Sequence, residues 1–237
     1  MQTASRQSRG IETREKLIEA AVSLYGRRSI DAVSFREIGT AAGQKNPNAL
    51  QYHFGDRDGL LQAIVDAHAG RIEARRETYY LRVETGEWSA AEGAARCLVM
   101  PIVDYVDAVA EGLDFVRIVS QIRSLTPADN AKHALQIRFP RPDGLTAVFE
   151  AALAELQPIE ARRRIYLVVN SAFHAITEIY RPGPERTIGS GPARAAMVEQ
   201  LVCMLSAFFQ APTVCNQGAA PARASRAKRA PSSRPSA

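Results

Sequence analysis

Asn48, Gln51 and Tyr52 fall at helical spacing on one side of a short stretch that Lys45 and Arg57 flank. Those residue types suit the reading of a DNA groove. The amides of Asn and Gln can pair bidentately with adenine N6 and N7, while Lys and Arg neutralise phosphates without reading sequence. Arg36, Asn46 and His53 lie close enough in sequence to join them. For His53 two readings stand side by side: a phosphate contact, or a ring that holds its helix against the core.

Two start signals and one stop signal position this set. Ser34 followed three residues later by Glu37 is a capping box, so a helix begins at about Ser34 and presents Phe35, Ile38 and Ala42 on one face. Gly43 sits just past its last turn, where a left-handed residue ends a helix at little cost. Asn46 as N-cap and Pro47 at the first helical position then open a second helix, with Leu50 and Phe54 turned back towards the first. Two such helices crossing around a glycine-containing turn form a helix-turn-helix, whose second helix can enter the major groove.

With Thr13 to Ala21 before it and the run Tyr52-His53-Phe54-Gly55-Asp56-Arg57 after it, this stretch closely resembles the DNA-binding domain of the tetracycline-repressor (TetR) family over roughly residues 11 to 71. The chain departs from the family pattern in three places. Gly39 stands where the family usually has Ala, Gln44 where it has a small aliphatic residue, and Gln51 where it often places a groove-reaching aromatic. The turn is also about one residue longer, which leaves the register of the recognition helix open.

The formal charge of +5 misleads if read globally. Residues 211–237 carry Arg223, Arg226, Lys228, Arg229 and Arg234 without an acid, so the rest of the chain is neutral. Residues 1–57 nevertheless hold nine basic and six acidic side chains, and that local +3 favours nucleic-acid contact through counterion release. A hydrophobic content of 46% over 237 residues suffices for a folded core. The sequence has no long uncharged apolar run and no apolar leader, so the expectation is a cytoplasmic protein without membrane spans. Cys97, Cys203 and Cys215 are widely spaced and suggest neither a disulfide framework nor a zinc site.

Along the chain, residues 1–10 read as a mobile basic arm and Thr13 to Gly26 as an amphipathic first helix. A long connecting helix follows from Asp58 to about Val83. The Ser89/Glu92 capping box opens a helix to about Val109, with Pro101 as a kink that could shape a cavity. Further helices are expected at Leu113 to Leu125, Gly144 to Leu156, Ile159 to Tyr180 and Ala193 to Gln210. Residues 127–143 read as a loop with one helical turn at Ala131 to Ile137, and 211–237 as a disordered basic tail.

The expected architecture is all-α: a three-helix DNA-binding domain at 11–71 and a helical ligand-binding and dimerisation domain at 72–210. The last two long helices are apolar beyond one stripe and need a second partner surface. The resemblance implies that they pair with those of a second copy in a four-helix interface, through Val169, Phe173, Ile176, Met197, Leu201, Leu205 and Phe208. It also implies a small-molecule effector between helices. Candidates to contact it are the polar interruptions Arg117, Gln121, Asn170 and His174 with the aromatic residues Tyr105, Phe149 and Phe173.

His174 and Glu178 have the i,i+4 spacing of a ligand pair, but no further His-rich pair accompanies them, and a His bonded to a carboxylate is the more ordinary arrangement. No nucleophile elbow, Walker loop or Rossmann glycine pattern is present. The reading is a non-enzymatic, cofactor-free transcriptional regulator that binds operator DNA as a homodimer, a repressor released by an effector. A low-specificity architectural DNA-binding protein and a helical-bundle metalloenzyme are the alternatives.

Overall fold

The computed structural model describes residues 2–125, 137–140, 142–181 and 192–213. The turn expected at Ala131 to Ile137 lies outside them except for its last residue, and so do the linker beyond Arg181 and the tail beyond Thr213. Among the described residues the chain is helical with no strand. The elements are α1 (Gln2–Tyr25), a 3₁₀ turn (Ile30–Ala32), α2 (Phe35–Ala41), α3 (Ala49–Phe54), α4 (Arg57–Glu84), α5 (Ala90–Ala108), α6 (Gly112–Leu125), α7 (Asp143–Ala152), α8 (Pro158–Ile179) and α9 (Pro192–Gln210).

Helix α1 is longer than its apolar periodicity implies, because the expected mobile arm continues it back to Gln2. Gly10 is the one poor helix former in that stretch and no proline interrupts it, so local propensity carries the helix past the residues that pack. Leu17, Ala21, Val22 and Tyr25 of α1 meet Ile38, Leu50, Leu60, Leu61 and Ile64 in the core of the N-terminal end. Each large aliphatic side chain fully withdrawn from water there contributes on the order of 1.5–3 kcal/mol.

Helix α5 lies at the centre of the larger C-terminal part, packed against α4, α6, α7, α8 and α9. Pro101 sits inside it, buried, and the helix runs through without a break. A proline lacks the N–H that would bond the carbonyl four residues earlier, here that of Cys97. The buried guanidinium of Arg76 in α4 supplies the missing donor, with Nε 2.8 Å from Cys97 O, while Glu73 pairs with its Nη1 and Tyr80 donates to Glu73. At the other end of the bundle, buried Arg164 of α8 donates to the last carbonyls of α9, Phe208 O and Phe209 O. Carbonyls in the last turn of a helix lack the usual donor four residues on, and Ala211 N–H reaches Phe208 O only at 3.4 Å.

Candidate nucleic-acid interface

The turn between α2 and α3 is built as its sequence implies. Ser34 Oγ accepts from Glu37 N–H, and Glu37 Oε2 accepts from Ser34 N–H at 2.8 Å. Arg28, three residues beyond α1, donates to the same carboxylate at 2.8 Å and to Ala32 O. The Ser34 backbone bond and then Arg28 hold the Glu37 carboxyl down at about 2, so the box is charged at neutral pH. At the far end Gly43 has φ +69°, Gln44 N–H donates to Gly39 O and Gly43 N–H to Thr40 O. That pair of bonds is a Schellman closure.

The start of α3 differs slightly from expectation. Regular α-helix begins at Ala49, with Asn48 in the cap position and no side-chain cap bond. Asn46 still serves the turn before it: its Oδ1 accepts from Asn48 N–H at 3.0 Å, and its carbonyl accepts from Ala49 N–H at 3.2 Å. Bonds that span three residues there tighten the first turn through Pro47 and move the α-helical start inward.

Inside this frame Ala49 and Leu50 are buried, whereas Asn48, Gln51 and Tyr52 are exposed, Tyr52 to 84%. Arg36, Lys45 and Asn46 are exposed as well. His53 is half-buried between Tyr52 and Phe54, its ring edge-on to Tyr52 at 5.1 Å, and Arg14 of α1 covers the Phe54 ring at 5.3 Å. Arg57, expected at a phosphate, donates to Asp31 Oδ1 at 2.9 Å and so braces the start of α4 against the 3₁₀ turn in the free protein.

The ligand candidates do not form one group. Arg117, Gln121 and His174 share an open cleft of about 460 Å³ with residues 26–29 of the segment after α1. Tyr105 belongs instead to the core, where His68 bonds its hydroxyl and stacks on Phe115 at 4.5 Å. Phe149 is buried against Phe209 at 5.4 Å. Asn170 accepts from Arg123 Nε at 3.0 Å and caps Tyr166 O, and Phe173 packs partly buried on the core.

Gln121 has a more specific role than its place in the sequence suggests. Its Oε1 accepts from Ile30 N–H at 2.9 Å and its Nε2 donates to Tyr25 O at 2.8 Å, so α6 grips the backbone just after α1. Gln62 of α4 makes a matching clamp on the backbone of Arg138. Close approach at the first clamp depends on Gly26, where a Cβ would lie 2.3 Å from that of Asp114.

The dimer candidates divide in the same way. Ile176, Leu201 and Leu205 are buried within the protomer, so they cannot form its outer face. Val169, Phe173 and Met197 are partly buried against the core, and Phe208 is exposed. The large apolar residues that α8 and α9 leave in water are Ile159, Tyr166, Leu167, Met204 and Phe208. Periodicity alone could not separate the two stripes of an almost wholly apolar helix. Among the described residues no helix is long and apolar enough to cross a membrane, and no group of three or more His, Cys, Asp or Glu side chains could hold a metal ion. Glu178 pairs with Arg181 at 2.5 Å.

Residues 17–64 match the family model described as bacterial regulatory proteins, tetR family. No curated protein matches the chain. Among solved structures, a TetR-family regulator from Streptomyces coelicolor is 15% identical, with 84% of this chain and 95% of that one covered and a TM-score of 0.44. A Rhodococcus structure assigned to the same family is 18% identical over 84% and 98%, with a TM-score of 0.46. One from Mesorhizobium loti is 16% identical over 85% and 97%, with a TM-score of 0.43.

Proposed function

We propose that this chain, which belongs through its DNA-binding domain to the tetR family of bacterial regulatory proteins, is a homodimeric repressor that leaves its operator when a small molecule binds. Transcription regulation through a helix-turn-helix is the established part of that statement. The observation that supports DNA reading is the outer face of α3, where Asn48, Gln51 and Tyr52 stand in water while Ala49 and Leu50 fix the helix from behind; homodimeric repression and effector release rest on the family likeness. An amide on an exposed recognition helix gains nothing for stability and is suited to a base edge.

In this reading Gln51 reads a base, Asn48 and Tyr52 flank it, and Arg36, Lys45, Asn46, His53 and Arg57 approach the backbone. Arg57 would exchange Asp31 for a phosphate. The division between DNA-binding head and helical body falls within α4, near residue 71. Tyr166, Leu167, Met204 and Phe208 supply the apolar centre of a contact with the same helices of a second copy, which would place two heads on successive major grooves about 34–36 Å apart. Selection of bound duplexes from a random pool tests the function. Recovery of a palindromic consensus with that half-site spacing is expected, and recovery of no consensus would replace specific regulation with architectural binding.

A further inference from the structure

Resting on the reading of a ligand-responsive regulator, we propose that the cleft between the end of α1 and helices α6 and α8 binds a small, multiply charged oxyanion, and that this ligand acts on the DNA-binding head by direct contact. The cleft, about 460 Å³, has the capacity of an ordinary small-molecule site. Its lining is not ordinary. Apart from Gly26, every residue that lines it carries a polar or charged side chain, His174 and Thr177 among them, which favours a ligand with charged groups.

Four arginines line it: Arg27 and Arg28 after α1, Arg117 on α6 and Arg181 just beyond α8. The carboxylates near them are Glu178, also in the lining, with Asp114 and Glu37 behind. Asp114 takes Nη1 of Arg117 at 3.1 Å and stands 4.0 Å from Arg27, Glu37 holds Arg28, and Glu178 holds Arg181. Four cations against three carboxylates leave the site positive, and each carboxylate orients the group it pairs with. Ser120 adds a hydroxyl to the α6 wall, where Ser124 Oγ–H donates to Ser120 O at 2.9 Å. A carboxylate or phosphate ligand matches planar guanidinium forks through charge-assisted bonds.

The position of the cleft gives such a ligand a mechanical consequence. One wall is the segment 26–29 that leads into the helix-turn-helix, and the other is the α6 and α8 surface that carries Gln121. An anion bridging the two walls adds to the Gln121 clamp and biases the orientation of the head on the body. Binding and DNA affinity are then coupled reciprocally.

Calorimetric titration of the full-length protein with pyrophosphate and, separately, citrate tests the site and distinguishes phosphate from carboxylate recognition. Arg117→Gln, Arg181→Gln and Ser124→Asp, checked for fold by circular dichroism, should each weaken the better probe by about tenfold or more, the effect of one lost or opposed charge-assisted bond. Arg181 and Ser124 are exposed, so at least those variants should fold. Absence of binding by either probe at millimolar concentration, or equal affinity in the wild type and folded variants, overturns the site. Repeating the titration with a selected duplex should shift the probe affinity by about fivefold or more, in the range of allosteric couplings. Equal affinity with and without duplex overturns the action on the head. Variant-sensitive binding by a protein that selects no duplex would leave the anion site standing and remove the regulatory reading.

Discussion

Arg76 Nε lies 2.8 Å from the carbonyl oxygen of Cys97, the one acceptor in α5 that Pro101 leaves without its helical donor. A proline inside a buried helix normally carries the cost of an unsatisfied carbonyl, and a cation buried beside apolar helices carries a desolvation cost. Each residue here relieves the other, with Glu73 balancing the charge.

A double-mutant cycle should reveal that dependence. Arg76→Met in the wild type is expected to lower stability by about 1–3 kcal/mol, because a buried acceptor loses its partner. In a Pro101→Ala background the alanine N–H can serve Cys97 O, and the same substitution should cost clearly less. Additive losses in urea unfolding would mean that the bond contributes little.

Gln51 and Lys45 should fail in different ways. Gln51→Ala is expected to weaken the selected duplex by about 1–3 kcal/mol and to relax preference at one position. Lys45→Ala should weaken selected and scrambled duplexes alike and reduce the salt slope by about one ion. Fluorescence anisotropy over a salt series separates them, and a uniform loss for Gln51→Ala would move the recognition register elsewhere on α3.

The two stripes of α9 make a sharper test of dimerisation than either helix alone. Met204→Lys places a charge on the exposed stripe and should yield a folded monomer in sedimentation equilibrium. Leu201→Lys buries a charge in the protomer and should instead unfold it. If the Met204 variant remains dimeric at micromolar concentration, the contact uses another surface.

Stability should fall on mild acidification because of His68. Burial pushes its imidazole down to about 4 from 6.5, with Glu111 opposing and Arg71 adding to the fall. Between those values the unfolded chain binds more protons than the folded one, so stability rises with pH across the window and is lost as pH drops from about 6.5 towards 4. The loss should be on the order of 2 kcal/mol. His68→Gln, which can retain a bond to Tyr105, should flatten that slope in denaturant titrations between pH 7 and pH 4.5. The Glu37 carboxyl, held at about 2, titrates below this window.

Gly39 offers a stabilising substitution at a departure from the family pattern. A Cβ built there would stand 3.4 Å from Leu50 Cδ1, ordinary contact, and the residue lies within α2. Gly39→Ala should therefore raise stability by about 0.5–1 kcal/mol through a smaller loss of backbone entropy. A lower melting temperature would show that α2 and α3 need closer contact than an alanine allows.

The local signals were legible because their causes are local. The Ser34/Glu37 box, the Ser89 cap, the left-handed Gly43 and the exposed face of α3 all follow from residues within one or two turns, although Glu92 turns to Arg96 instead of closing a box on Ser89. Tertiary assignments were not. Leu201 and Met204 are both apolar residues on one helix, and only the placement of α5 and α8 sends the first inward and leaves the second outside. Gln121 read as a polar interruption available to a ligand, yet its amide is spent on backbone groups more than ninety residues away. Arg76 carried no signal at all until Pro101 lay beside it.

The clamps made by Gln121 and Gln62 use neutral amides. A grip on phosphates loosens steeply as ionic strength rises, whereas uncharged hydrogen bonds are scarcely screened. Concentrated salt should therefore lift the head from DNA without freeing it from the body, and the dissociated protein would keep its heads aimed for the next encounter.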